Sequence, residues 1–417
     1  MEKYIKRNIE SVVMRLSKGF PVVMVTGPRQ VGKTTMLRHI NKNINYVSLD
    51  NLNARDLAIS DPELFLETYK TPLVIDEFQY APNLLSYIKI RVDEARFDRV
   101  FNSGDDVNVM YYLTCSQSFL SMKNVSESLA GRVGIIEMYG LSTNELNMQS
   151  DEIFIPEISE LQKKKISNKP DSNKIFERIF KGSYPELYIN ENVTLNEYYE
   201  SYVKTYIERD IRDLINISDE IKFMKFMTSI AARTGEELNI TTVANDAEIS
   251  VPTAQSWLSI LVNTGLVILL EPFSNNVIKR TIKRPKIYFM DTGLACYLAK
   301  YPSAEILEAS AYAGHIFETY VVSEIVKTFA NNGKDFKRYL FYYRDDKKRQ
   351  IDLIIDYNNK LYPIEIKKGK KPNGECTKNF EVLGNLNMEI GKGIVLCMCD
   401  EIFPIDRDNY YVPVNYI

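Results

Sequence analysis

Residues Gly27 to Thr34 read GPRQVGKT: two glycines, a lysine and a hydroxyl side chain at the spacing of a phosphate-binding loop. A backbone turning through glycines points successive N–H groups inward, and the N-terminal end of a following helix adds positive potential to that nest. Gly27, Pro28, Arg29, Gln30, Val31, Gly32, Lys33, Thr34 and Thr35 are therefore the candidate nucleotide-binding residues. Lys33 is placed to reach the β/γ phosphates of ATP, and Thr34 to hold Mg²⁺.

A second group of acids complements the loop. Leu73, Val74 and Ile75 run directly into Asp76 and Glu77, which sets two carboxylates at the C-terminal end of an apolar strand, a Walker B pattern. Asp76 is the expected Mg²⁺ partner, and Glu77 the residue that orients or deprotonates the attacking water. Further on, Met110 to Leu113 leads into Thr114, Cys115, Ser116 and Gln117. Ser116 is the first choice for a side chain touching the γ-phosphate or the water, and Thr114 the second. Arg132, in SLAGR, is a candidate arginine finger for charge on the transferring phosphoryl group.

A third constellation lies near the C-terminus. Gln350 to Asp356 and Lys360 to Lys367 read as two strands joined at Asn358 and Asn359, residues that tolerate the positive φ of a two-residue hairpin turn. That turn sets Asp352 opposite Glu365 and Gln350 opposite Lys367, all on one face. The alternate face carries Ile351, Leu353 and Ile355 against Ile364 and Ile366. Opposed carboxylates repel unless a cation or proton lies between them. Asp352 and Glu365 are therefore candidate ligands of a second divalent metal, with Lys367 on the same face. The preceding helical stretch, Gly314 to Phe329, carries Glu318 and Glu324.

The elements that must position these residues follow from periodicity. Apolar strands at Val22 to Thr26, Tyr46 to Leu49, Leu73 to Ile75, Met110 to Leu113 and Ile135 to Met138 alternate with helical stretches, the rhythm of a parallel sheet covered by helices. Gln162 to Asn173 reads as a linker. Residues 236 to 290 suggest a winged helix. Its second helix, Val251 to Thr264, has no lysine or arginine, as a reader of base edges would need, whereas Lys279, Arg280, Lys283, Arg284 and Lys286 crowd the wing and suit DNA phosphates.

Composition limits the alternatives. The 417 residues suffice for several domains, and 52 basic against 55 acidic residues confine any nucleic-acid surface to a local patch. Five cysteines without a paired framework fit a reducing cytoplasm, with Cys397 and Cys399 read as core residues. No apolar run approaches the length of a membrane span, so a cytoplasmic protein without membrane contact is expected. Two histidines leave little room for a histidine-based triad.

Taken together, GPRQVGKTT, LVIDEFQYAPNLL, LTCSQSF and SLAGR resemble the AAA-like P-loop ATPases of bacteria and archaea, an AAA_14 ATPase domain with a C-terminal DUF4143 region. GSYPELY at Gly182 to Tyr188, SYVKTYIERDI at Ser201 to Ile211 and RPKIYFMDTGL at Arg284 to Leu294 agree with it. Cys115 departs from the pattern, which more often has glycine there. The Asp352, Glu365 and Lys367 set resembles PD-(D/E)xK nucleases of the RecB-like and Holliday-junction-cleaving kinds, which implies Lys367 as the residue that positions or activates water and Glu318 or Glu324 as the helix-borne acid.

The implied fold class is α/β: a P-loop NTPase parallel sheet at 1–162, a helical and winged-helix domain at 174–300, and a restriction-endonuclease-like α/β domain at 310–417. The implied function is an Mg²⁺-dependent ATPase coupled to a nuclease-like, DNA-associated domain. A nucleotide-gated interaction module with an inactive nuclease fold is the alternative. Rings are common among AAA-like proteins, so a homo-oligomer is one expected state.

Overall fold

Five short runs rich in Val, Ile, Leu and Tyr pair as parallel strands: β1 (Val22–Thr26), β2 (Asn45–Ser48), β3 (Leu73–Asp76), β4 (Tyr111–Cys115) and β5 (Val133–Glu137). This is a computed structural model, and it describes residues 4–41, 44–102, 109–115, 129–164, 166, 169–206, 220–274, 284–386 and 388–417. The strand order is β2-β3-β4-β1-β5. Every residue of β1, β3 and β4 is buried, as strands covered on both faces must be, whereas β2 and β5 at the edges are partly exposed. Because β4 lies between β1 and β3, whatever follows the C-terminal end of β4 is delivered between the phosphate loop and the Asp76–Glu77 pair. Such carboxyl-end crevices are where open parallel sheets bind ligands.

The chain divides into two compact units. The first comprises Met1–Asp151 with Asn263–Gly265 and Ala330–Lys334, and contains the parallel sheet. Its core is built from Val22, Met24, Leu73, Ile75, Leu113 and their neighbours on the covering helices.

The second unit takes the remainder of Glu152–Ile417. Helices Ile240–Asp246 and Val251–Asn263 are followed by an antiparallel pair, β6 (Val267–Leu270) and β7 (Lys286–Phe289). Tyr184, Tyr198, Tyr199 and Tyr202 pack together as buried rings, so the tyrosine-rich stretch is core. Asp291 ties this region together. Its carboxylate accepts from Ser183 N at 2.5 Å, Ser183 Oγ at 2.7 Å, Tyr199 OH at 2.8 Å and Leu294 N at 2.7 Å, capping the helix Thr292–Leu298. A Cβ on Gly182 or on Gly293 would meet the Tyr199 hydroxyl at 2.1 Å in each case, so both positions need glycine.

A mixed seven-stranded sheet completes the unit: β8 (Leu340–Arg344), β9 (Gln350–Tyr357), β10 (Lys360–Ile366), β11 (Glu389–Ile390), β12 (Gly393–Cys397), β13 (Phe403–Pro404) and β14 (Asn409–Pro413). Asn358 and Asn359 have φ of 52° and 61°, the two positive values of a tight hairpin turn. The register they set pairs Lys360 with Tyr357 and Ile364 with Leu353. Residues 351–355 are all buried. The face carrying the acids is therefore covered as well as the apolar face, and charges there need partners inside the fold.

Candidate functional site

The loop after β1 turns through Gly27 (φ 135°), Gln30 (φ 61°) and Gly32 (φ 91°), the last capping the helix Lys33–Ile40. A Cβ at Gly27 would lie 2.0 Å from the Met138 carbonyl oxygen, so the loop closes against the end of β5 only with glycine there. Arg7 braces the loop from behind. Its buried guanidinium donates to Val31 O at 2.6 Å, Tyr139 O at 2.8 Å and Glu145 Oε1 at 3.0 Å. Lys33 is buried at the mouth of the loop, where its ammonium donates to Gly27 O at 2.8 Å and Pro28 O at 2.7 Å. Burial pushes the Lys33 pKa down to about 8, against the upward pull of Glu77.

Three hydroxyls converge on Asp76. Thr34 Oγ1 donates to Oδ1 at 2.6 Å, Thr114 donates to the same oxygen, and Tyr46 OH donates to Oδ2 at 2.9 Å. The backbone N–H of Glu77 donates to Thr114 Oγ1 at 3.2 Å. Glu77 itself is left-handed, φ 53° and ψ 45°, and its carboxylate accepts from the Gln79 amide. The phosphate loop, the strand-end acids and the end of β4 are thus one site. A hydroxyl beside a carboxylate is a donor set that fits a hard divalent cation. Thr114 occupies the position between loop and acids, and Ser116, the first choice from sequence, lies outside the described residues.

Arg132 lies at the other end of the sheet from the phosphate loop. It directly precedes β5, and its carbonyl accepts from Val22 N, the first residue of β1. The phosphate loop leaves the other end of β1, about 16 Å away for a strand of this length. The guanidinium is instead paired with Asp93 through bonds of 2.5 and 2.9 Å. In this arrangement the Arg132 guanidinium is engaged by Asp93 and not directed at the phosphate loop.

In the second unit, Lys367 Nζ lies 2.6 Å from Glu365 Oε1 and 3.4 Å from Asp352 Oδ2. The cation between the two acids is therefore a lysine ammonium. Burial and the neighbouring Asp352 charge raise the Glu365 pKa to about 8, with Lys367 opposing. Asp352 is held below its ordinary value: burial acts upward, but Lys286 and Lys367, with the Ile366 N–H at 3.1 Å, outweigh it. Oε2 of Glu365 is buried and has no hydrogen-bond partner among the described residues. Among the described residues, no group of three or more His, Cys, Asp or Glu side chains is placed to hold a metal ion.

Of the two helix acids, Glu318 faces this cluster. Glu324 does not: it pairs with Lys327 at 2.6 Å. Lys286 requires a correction. Far from joining a surface patch with Arg284, it is 2 % exposed, its ammonium 2.8 Å from Glu318 and 3.5 Å from Asp352. Lys279, Arg280 and Lys283 lie outside the described residues.

Residues 19–147 match the AAA domain family (AAA_14), residues 172–305 a domain of unknown function (DUF8612), and residues 313–417 a domain of unknown function (DUF4143). The chain thus carries an AAA_14 ATPase domain and, C-terminal to it, a DUF4143 region. Uncharacterized proteins of Mycobacterium tuberculosis and Mycobacterium bovis are each 26 % identical to this chain over 418 residues, covering 99 % of it and 84 % of their own length. Among solved structures, it is similar to the Walker-type ATPase of Pyrococcus abyssi (14 % identity, 71 % and 96 % of the two chains, TM-score 0.40). It is also similar to the ORC2 protein of Aeropyrum pernix (15 % identity, 74 % and 94 %, TM-score 0.34). Among the described residues, no helix of the ATPase is long and apolar enough to cross a membrane.

Sequence reasoning missed three residues that the fold brings to the candidate sites: Arg7, Tyr46 and, in its buried role, Lys286. Tyr46 had an available signal. It lies in β2, the strand beside β3, and even spacing puts Tyr46 and Ser48 on one face of it. Arg7 and Lys286 carried none, since their partners are 138 and 66 residues away.

Proposed function

We propose that the protein hydrolyses ATP in an Mg²⁺-dependent cycle and that this cycle regulates a nuclease-like, DNA-associated C-terminal domain. The convergence of Thr34, Thr114 and Tyr46 on Asp76, one residue from Glu77, carries the reading. Thr34 and Asp76 would hold Mg²⁺, which supplies charge neutralisation between the β and γ phosphates. Lys33 exchanges its two carbonyl partners for phosphate oxygens. Glu77, freed from Gln79, orients and deprotonates the attacking water, and Thr114 keeps the Glu77 backbone in place. The loop N–H groups and the start of the helix Lys33–Ile40 bind the anion. The decisive experiment is ATP turnover with and without single-stranded, duplex and branched DNA. A rate that no DNA changes removes the DNA-associated half of the proposal, and K33A turning over ATP like the wild type removes the first half.

In the second unit, Asp352 and Glu365 are the proposed ligands of a divalent ion, with Lys367 beside it. The unpartnered buried Glu365 Oε2 supports this reading. The alternative, an interaction module with an inactive nuclease fold, draws on a different observation: two lysine ammoniums already balance the carboxylates. Metal-dependent nicking that D352A and K367A abolish would decide for the first.

A further inference from the structure

Lys286 opens β7, and with Tyr288 two residues on it projects from one face of that strand. Both side chains end on the same atom: Lys286 Nζ lies 2.8 Å and Tyr288 OH 2.7 Å from Glu318 Oε1. The ammonium is also 3.5 Å from Asp352 Oδ1, and its centre is 5.9 Å from the Tyr342 ring. Glu318 comes from the helix Ala313–Asn331 and Asp352 from β9, so one lysine from a third element joins two acids that face each other across the fold. All three side chains are buried or nearly so. Taking a lone ammonium out of water is costly, and a lysine is found there only where carboxylates compensate it.

We propose that Lys286 is a resident cation that fills an inner divalent-metal site formed by Glu318 and Asp352, and so restricts any bound ion to the outer, Glu365 side of the cluster. A hard divalent ion binds carboxylate oxygens at about 2.0–2.6 Å. An ion bridging Glu318 and Asp352 at that range would coincide with the lysine ammonium, and the two cations cannot occupy that gap together. The outer oxygen is different: Glu365 Oε2 has no partner among the described residues, and Lys367 reaches the cluster from a half-exposed position. Entry to the inner site then requires β7 to withdraw Lys286. Because β7 is half of the β6–β7 pair, anything that displaces that pair changes how many ions the cluster takes.

The inference rests on the reading of Asp352 and Glu365 as ligands, and its test separates the two. Full-length protein freed of ions and nucleotide is titrated with Mn²⁺ alone, and free Mn²⁺ is followed by its paramagnetic resonance signal. K286Q is expected to bind Mn²⁺ at least tenfold more tightly than wild type, and the gain should disappear in K286Q/E318Q. Equal affinity in K286Q and wild type overturns the inference, as does a gain that survives loss of Glu318. Should E365Q leave wild-type binding untouched while K286Q still gains, the outer site fails and the resident cation stands. If K286Q does not fold without metal, Mn²⁺ is expected to restore its cooperative melting, and failure to restore it overturns the proposal.

Discussion

The hydroxyl of Tyr46 donates a 2.9 Å hydrogen bond to Oδ2 of Asp76, the oxygen that neither Thr34 nor Thr114 takes. Hydrogen bonds to charged groups contribute about 1.5–3 kcal/mol, and the partial exposure of Tyr46 lowers that toward the bottom of the range. Y46F is expected to reduce ATP turnover roughly three- to tenfold while nucleotide affinity stays within about threefold. Steady-state kinetics with a separate binding titration checks it, and equal losses in both would assign Tyr46 to binding.

Lys33 and Glu77 act at different stages. K33A should abolish ATP binding, whereas E77Q should keep it and slow hydrolysis at least about a hundredfold, because Glu77 acts on the water in the transition state. Single-turnover measurement with a binding assay separates the two. Unchanged nucleotide affinity in K33A would defeat the assignment.

Lys33 also sets a pH dependence. Its empty-site pKa is about 8, and bound phosphate charge must raise it, so binding takes up a proton above that value. ATP affinity should be flat below about pH 7 and weaken by up to about tenfold per pH unit from pH 8 upward. K33R, which stays charged, should show no such inflection. A wild-type affinity constant from pH 6.5 to 9.5 would contradict the buried, depressed ammonium.

Arg132 pairs with Asp93 at the far edge of the parallel sheet, where both are partly exposed. Pairs of this kind contribute about 0–1 kcal/mol. R132A should therefore leave thermal stability nearly unchanged and ATP turnover within about twofold. Turnover lost with stability intact would mean that this arginine serves the site of a neighbouring copy, which mixing R132A with E77Q chains would reveal as restored activity.

Arg7 is the opposite case, buried with Glu145 and holding two carbonyls of the loop region. Breaking a buried pair from one side costs about 3–5 kcal/mol. R7A should lower the melting temperature by roughly 10 °C and weaken ATP binding, since Val31 O loses its donor. Calorimetry with and without nucleotide measures both effects.

The parallel sheet, the phosphate loop and the Asn358–Asn359 hairpin were legible because their signals are local: apolar runs, glycine spacing, and two residues that accept positive φ. What stayed hidden depends on long-range placement. The basic run around Lys286 suggested a surface patch, but period-two alternation turns its last lysine inward, onto acids supplied by a helix and a strand far along the chain. Arg132 did carry a readable cue. A residue just before a parallel strand sits at the edge opposite the carboxyl ends, so its place in the sheet follows once β5 is assigned.

The Asp291 carboxylate has a consequence for how such chains can diverge. Gly182, Ser183, Tyr199, Asp291 and Gly293 are spread over more than a hundred residues, yet each owes its identity to the others: the acid needs the serine and tyrosine donors, and the tyrosine hydroxyl leaves no room for a Cβ at either glycine. Drift at any single one of the five should be blocked, and relatives that abandon one should have abandoned all. Aligned homologues would then show these columns varying as a block, and a chain bearing alanine at 182 beside an intact Tyr199 and Asp291 would be the counterexample.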